Sequence, residues 1–304
     1  MESSSHIWAD GELVPWDEAN VHFLTHALHY GTAVFEGIRA YNTPEGTAVF
    51  RLHEHMVRLE ASARAYSIPM TYTVDQLNQA TMDLLRKTEL DSAYIRPLVF
   101  YGTGSIGPAP HGNTVHTMMA AFSFGSYLGE EGVHKGITAM VSSWRRINHN
   151  SLIPTAKGAG GYLNSMLAKQ EAMRAGFDEA IMLNDTGSVS EGSGMNIFTV
   201  SGKTVYTPPV SAGILEGITR NSVIELLRNN GVEVIETVLA RGSLYTAEEV
   251  FVTGTAAEVT PIREIDGRVV GPGSPGPITR KAQDLFAAAV NSKLDDFRHW
   301  LDFV

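Results

Sequence analysis

Fold and chemistry both turn on IPTAKGAGGYLNS, residues Ile153–Ser165. A single lysine, Lys157, stands between a proline and a run of glycine and alanine, and a helical pattern opens at Tyr162. A loop with so few side chains lets another backbone or a ligand come close. The chain has seven lysines. Six read as solvated: Lys87 and Lys281 lie among charges, Lys169 is on a helix, Lys203 is in a Ser-Gly-Lys-Thr turn, and Lys135 and Lys293 sit in polar stretches. Lys157 alone has small and apolar neighbours. A lysine partly withdrawn from water loses its proton more easily and can attack a carbonyl as the free amine. It can equally lie along the loop with its ammonium in water. The stretch alone leaves both readings open.

A lysine bonded to pyridoxal phosphate requires further parts elsewhere in the chain. It needs an acid for the pyridine nitrogen, backbone amides for the phosphate, and a cation or hydroxyls to complete the phosphate cup. SVSEGSGMNIF places Glu191 where a strand breaks into Gly-Ser-Gly, directly before an apolar strand. A charge in that position usually has a partner, although a glutamate on a surface turn is the plainer reading. LEGITR, with Leu215, Gly217, Ile218 and Thr219, precedes a helix whose first amides point at an anion, or are simply capped. GTAAEVTPI offers a second turn of this kind at Thr255, Ala256 and Ala257. Arg58 shares a helix face with Arg51 and His55. It can clamp phosphate through its planar fork of donors, or be solvated.

The remaining features narrow the class. A chain of 304 residues supports a large core and two domains. With 43% hydrophobic and 18% charged residues it is globular rather than disordered or membranous. A net charge of -10 argues against a nucleic-acid partner, which would want a basic face. The absence of cysteine removes disulfides, thiolate nucleophiles and Cys-type metal sites. The start shows neither an export signal nor a membrane anchor, so a cytoplasmic enzyme is expected. Hairpins are predicted at Asp10-Gly11 and Thr43–Gly46. Helices are predicted over residues 52–66, 74–90, 162–176, 218–229 and 278–294, the last closing the chain. HTMMAAFSFGSYL reads as a strand buried throughout. Elements mix without a regular βαβ beat, so the class is α+β. Residues 1–124 form a smaller N-terminal domain, 125–134 an interdomain loop, and 135–304 a larger domain.

Two motifs fail on inspection. GTGSIG, Gly102–Gly107, matches the dinucleotide fingerprint GxGxxG, but PAPHGNT follows where a helix must start. An oxidoreductase reading has no other support. His26, His29, His53 and His55 lack HExxH spacing and read as ordinary surface or core histidines rather than a metal site.

Seven blocks now stand in order: THALHYGTAVFEGIRAY, RLHEHMVRLEASA, SAYIRPLVF, IPTAKGAGGYLNSMLA, SEGSGMNIF, LEGITR and VFVTGTAAEVTPI. Together they resemble the branched-chain amino-acid aminotransferases, pyridoxal-phosphate enzymes of fold type IV. The resemblance runs from the N-terminal hairpin to about Arg263. It implies a small N-terminal α/β domain, a larger mixed-sheet pseudo-barrel domain, and a homodimer or larger homo-oligomer, with the site between the domains. Lys157 would hold the cofactor and carry the proton between the substrate Cα and C4′. Glu191 would pair with the pyridine nitrogen, and Tyr162 would hydrogen-bond the phenolic oxygen. Arg58, Leu215, Gly217, Ile218, Thr219 and Thr255 would line the phosphate site. The substrate carboxylate would rest on Thr255, Ala256 and Ala257. Tyr30, Phe35, Gly37, Tyr94, Arg96 and Tyr127 would form the side-chain pocket. The implied reaction moves amino groups between Leu, Ile or Val and 2-oxoglutarate. A D-amino-acid or primary-amine transaminase and an aminodeoxychorismate lyase share the fold, and a non-catalytic binding protein could keep it. Phe124 stands where relatives often carry tryptophan, which opens the question of primary amines.

Overall fold

A computed structural model describes residues 4–125 and 129–304. The chain forms two compact units. The first comprises Met1–Phe124, Ala156–Gly160 and Ala289–Val304; the second comprises Gly125–Thr155 and Gly161–Ala288. The division is therefore not a single cut along the chain.

In the first unit, β1 (His6–Ala9) and β2 (Glu12–Pro15) form the predicted hairpin, with Ala9 opposite Glu12. Asp10 and Gly11 both have positive φ (48° and 102°), as a tight two-residue turn between twisted strands demands. The five-residue helix α1 (His26–Tyr30) and the three-residue β3 (Ala33–Phe35) are too short to show periodicity and were not expected. Then β4 (Ile38–Thr43) and β5 (Gly46–Phe50) form the second predicted hairpin. Helix α2 (Leu52–Ala65) buries Leu52, Met56, Leu59 and Ala63 at helical spacing. Helix α3 (Val74–Thr88) opens with a capping box: the Thr73 hydroxyl accepts from Gln76 N, and Gln76 accepts from Thr73 N. These helices pack on Ile38, Ile95, Val99 and Met119 from the sheet. Each such large apolar side chain stabilises the unit by roughly 1.5–3 kcal/mol. The sheet is completed by β6 (Ala93–Tyr101) and β7 (Val115–Phe122). Contrary to expectation, β7 is not buried throughout: exposure alternates over most of its length, because only one face meets the core.

In the second unit, helix α4 (Gly129–Lys135) occupies residues 129–134 of the stretch expected as a loop. Strand β8 (Ile137–Val141) leads to the lysine loop, and α5 (Tyr162–Arg174) follows it. Next come β9 (Glu179–Leu183), β10 (Val189–Gly192), β11 (Asn196–Ser201) and β12 (Thr204–Thr207). Helix α6 (Ile218–Asn229) keeps its predicted bounds. After it lie β13 (Glu233–Glu236), α7 (Ser243–Thr246), β14 (Glu249–Gly254), β15 (Glu258–Ile265), β16 (Arg268–Val269) and α8 (Pro277–Val290). The sheet order is β10-β9-β8-β15-β14-β11-β12-β13, with β16 on β15. Pairings β8–β9, β8–β15 and β12–β13 are parallel and the rest antiparallel, so the sheet is mixed.

Helix α8 does not close the chain. A 3-10 turn, Asp295–Trp300, leads into β17 (Leu301–Phe303), which returns to the first unit and pairs antiparallel with β5. Burial of Phe297 and Trp300 holds it there, with Arg51 over the Trp300 ring at 4.8 Å. The first sheet then runs β17-β5-β4-β6-β7-β1-β2, with β3 on β6, all antiparallel.

Candidate active site

Backbone hydrogen bonds hold the lysine loop in place. Lys157 N donates to the Ser62 hydroxyl on α2 at 3.0 Å, and its carbonyl accepts from Phe35 N at 3.1 Å. The glycines are explained by close neighbours in the same unit. A Cβ at Gly158 would lie 2.7 Å from the Tyr66 ring, and one at Gly31 would lie 2.8 Å from Gly160 Cα. Lys157 Nζ lies 5.3 Å from the centre of the Phe35 ring, and the residue is half-buried.

Three consecutive residues after β3 begins to end organise the surroundings. Phe35 holds the lysine carbonyl through its N–H and faces the amine with its ring. Glu36 is fully buried and accepts from Arg58 Nε at 2.7 Å, Arg58 Nη2 at 2.9 Å and His55 Nδ1 at 2.7 Å. Burial alone would raise the Glu36 pKa, but the Arg58 and His55 groups beside it outweigh that and hold the carboxyl well below the usual range. Burial pushes the His55 imidazole below the usual histidine range, against the pull of Glu36. His55 is thus a neutral donor to an ionised carboxylate. Gly37 is required because a Cβ there would sit 1.9 Å from the Tyr94 hydroxyl.

On the same unit, the Arg96 guanidinium stacks on Phe35 at 4.9 Å and on Tyr94 at 5.2 Å, and it donates to the Tyr94 hydroxyl at 3.3 Å. The Phe124 ring packs against Tyr94 at 4.9 Å. Aromatic walls with one cation are therefore brought together. Tyr30, expected in the side-chain pocket, points its hydroxyl at the Ile106 carbonyl, 2.7 Å away. Tyr127, expected in the same pocket, lies outside the described residues.

In the second unit, Glu191 on β10 is buried. It meets Arg146 Nε at 2.8 Å and accepts from Leu215 N at 3.0 Å and Asn196 Nδ2 at 3.1 Å. Asn196 also donates to the Leu215 carbonyl at 2.8 Å, so one amide ties the acid to the segment before α6. The loop carrying Arg146 is pinned to α5 by Glu171, which accepts from Ser142 and Ser143, and by Asn164, which donates to Arg145 O at 2.9 Å. Gly217 is the N-cap of α6, and a Cβ there would lie 2.0 Å from Asn196 Oδ1. No side chain caps α6, which opens with the buried Ile218 and Thr219, and the first amides of a helix have no partner within it. Thr255, Ala256 and Ala257 form the turn between β14 and β15, and Tyr162 is the first residue of α5.

The donor sets fit pyridoxal phosphate. The first unit has an amine over the Phe35 ring and an arginine locked on the carboxylate of the next residue, Glu36; the second has a buried carboxylate bonded to the segment before a helix with no side-chain cap. Sequence reasoning missed Glu36, Ser62, Arg146 and Asn196, and took His55 as an ordinary histidine. Lys169, read as solvated, is in an ion pair with buried Glu179 at 2.8 Å. Among the described residues no cluster of His, Cys, Asp and Glu could hold a metal ion. Gly102–Gly107 is loop with no helix after it, so the dinucleotide fingerprint is excluded.

Comparison with known proteins agrees with this chemistry. Over 302 residues the chain is 47% identical to the branched-chain-amino-acid aminotransferase of Salmonella typhimurium, covering 99% of this chain and 98% of that protein. It superimposes on the crystal structure of the Escherichia coli branched-chain amino acid aminotransferase with a TM-score of 0.96. The identity is 47%, over 98% of this chain and 99% of that one. For the T.th. branched-chain amino acid aminotransferase complexed with N-(5'-phosphopyridoxyl)-L-glutamate the TM-score is 0.95 and the identity 42%, over 99% and 98% of the two chains. The architecture is that of fold type IV. The amino-transferase class IV model matches residues 33–265, which span the lysine, the buried acid and the uncapped helix, and the chain belongs to that family.

Proposed function

We propose that this aminotransferase moves amino groups between leucine, isoleucine or valine and 2-oxoglutarate, with pyridoxal 5'-phosphate as cofactor. The observation that carries the substrate class is Arg96 laid across Phe35 and Tyr94. Aromatic walls accept a branched aliphatic side chain, and the cation at their edge pairs the second carboxylate of glutamate, which would otherwise be buried without a partner.

When bound, the cofactor supplies an electron sink that lets the substrate Cα–H ionise. Lys157 would hold it covalently and, as the free amine, would carry the proton of the substrate Cα. Glu191 would hold a proton at the ring nitrogen, and Arg146, Asn196 and Leu215 N keep its carboxylate oriented. Arg58, the amides of Ile218 and Thr219, and Thr255 would bind the phosphate, and Tyr162 would orient the ring. The Thr255–Ala257 turn receives the substrate carboxylate.

A substrate panel tests this reading. Leucine, isoleucine and valine are expected to turn over with 2-oxoglutarate as acceptor, while D-amino acids, aminodeoxychorismate and an aromatic primary amine are slow. Preferred turnover of a D-amino acid or of the primary amine would replace the branched-chain assignment; Phe124 makes the amine arm worth including. Arg96→Ala is expected to lower kcat/KM for glutamate by roughly 10–100-fold, the loss of a charge-assisted pair. Leucine should change by less than about threefold, since it does not use the cation. Equal losses on both substrates would remove Arg96 from side-chain recognition.

Self-association belongs to the same proposal. Phe23, Leu28 and Ile106 expose 76%, 62% and 72% of their surface in the first unit, and a second copy of the chain would take such side chains out of water. A monomer in sedimentation at micromolar concentration would contradict it. We also assign the enzyme to the cytoplasm, on the absence of cysteine and of any described helix long and apolar enough to cross a membrane. Recovery in an extracytoplasmic fraction would contradict that.

A further inference from the structure

We infer that Glu36 is a positioning residue that aims Arg58 at the cofactor phosphate. The inference rests on the phosphate role proposed for Arg58. Glu36 is fully buried although charged, and everything that touches its carboxylate is a donor: Arg58 through Nε and Nη2, His55 through Nδ1, and the Gly37 amide at 3.2 Å. Two parallel bonds from one guanidinium to one carboxylate fix the plane and the direction of the arginine, which a single contact cannot do. Held along one edge in this way, the guanidinium presents its opposite edge in one direction only.

Where Glu36 sits explains why it is used. It lies between Phe35, whose N–H holds the Lys157 carbonyl, and Gly37, whose missing side chain makes room for Tyr94. His55, Arg58 and Ser62 follow one another along one face of α2, the first two on Glu36 and the third on Lys157 N. The arginine and the lysine are therefore set on one rigid frame, with Glu36 and Ser62 as its two pins. His55, neutral in this setting, adds a donor without adding a charge. The pair Glu36–Arg58 thus carries little net charge, and its contribution to phosphate binding is direction rather than attraction.

Two effects of opposite sign follow from removing the carboxylate. The charge of Arg58 is no longer offset, which favours phosphate, and its orientation is lost, which disfavours it. Orientation dominates, because an arginine loses much rotamer freedom when it is fixed, and Glu36 fixes it in advance of binding.

The test measures affinity of cofactor-free protein for pyridoxal phosphate and for pyridoxal, by fluorescence quenching, with no turnover involved. The ratio of the two affinities reports the phosphate site alone. Glu36→Gln keeps the shape, places an amide donor against donors, and is expected to narrow the ratio by roughly 10-fold or more while leaving pyridoxal within about threefold. Glu36→Asp keeps the charge but withdraws it by one methylene; it should narrow the ratio as well, and it stands in if the glutamine variant does not fold. In an Arg58→Gln background Glu36→Gln should have no further effect on the ratio. A merely structural role would weaken both ligands equally, and that result, or a ratio unchanged or widened in both variants, would overturn the inference. If Arg58→Gln itself leaves the ratio intact, the phosphate reading of Arg58 has failed instead, and if the wild type does not distinguish the two ligands, so has the cofactor reading.

Discussion

Lys157→Ala is expected to fold and to lose transamination by at least about 10⁴-fold, the upper range for removing a proton-transfer group, with the loss of covalent attachment added. Folding should survive because the loop is fixed through main-chain atoms. Lys157 N to Ser62 and Lys157 O to Phe35 N are unchanged by removing a side chain. The glycines that pack against Tyr66 and Gly31 are unchanged as well. Borohydride reduction of the wild-type protein with cofactor, followed by peptide mapping, should label Lys157, and the alanine variant should not be labelled. Lys169 is the nearest rival by burial, but its amine is engaged by Glu179 and by the Asp178 carbonyl at 2.6 Å. With both acceptors in hydrogen-bonding contact, that amine is tied down and poorly placed to attack a carbonyl. Label on Lys169, or more than about 1% residual activity in the alanine variant, would remove Lys157 from the reaction.

What the sequence made legible, and what it hid, follows the distance over which each signal acts. Helix α2 shows itself through Leu52, Met56, Leu59 and Ala63, and both hairpins through their turn residues, because those signals lie within a few residues. Strand β17 has three residues, and its reason for existing is a neighbour, β5, some 250 residues earlier. Strand β15 was missed for another reason: GTAAEVTPI was read for its turn, and the turn is there, but the strand after it carries Thr260 and Pro261 and lacks a clean alternation. In the site, Lys157, Arg58, Glu191 and the 215–219 segment are visible as local chemistry. Their partners are not, since Arg58 meets Glu36 across 22 positions and Lys157 meets Ser62 across 95. Glu36 was the one that could have been found. A charge beside an apolar strand needs a partner, and the argument that singled out Glu191 applies unchanged to the glutamate between Phe35 and Gly37.

Glu191→Gln is expected to lower turnover by roughly 10²–10³-fold, the cost of removing one preorganised charge from a dry site. The same substitution should also destabilise the protein, and the two effects must be told apart. Glutamine has the size of glutamate but only one acceptor oxygen. Arg146 approaches one carboxylate oxygen, while Asn196 and Leu215 N approach the other. Whichever way the amide turns, its NH₂ faces a donor, and the Arg146 guanidinium loses its charge partner in a site only 11% exposed. Breaking such a pair from one side costs about 3 kcal/mol or more. A second substitution separates structure from chemistry. Glu191→Gln with Arg146→Gln removes both charges, and a pair of neutral amides in place of a broken ion pair should recover most of the lost stability. Activity should not return with it, because no carboxylate remains to hold a proton on the ring nitrogen. Melting and turnover are therefore expected to part company in the double variant, and if they recover together, Glu191 serves only to hold Arg146 and has no part in the chemistry.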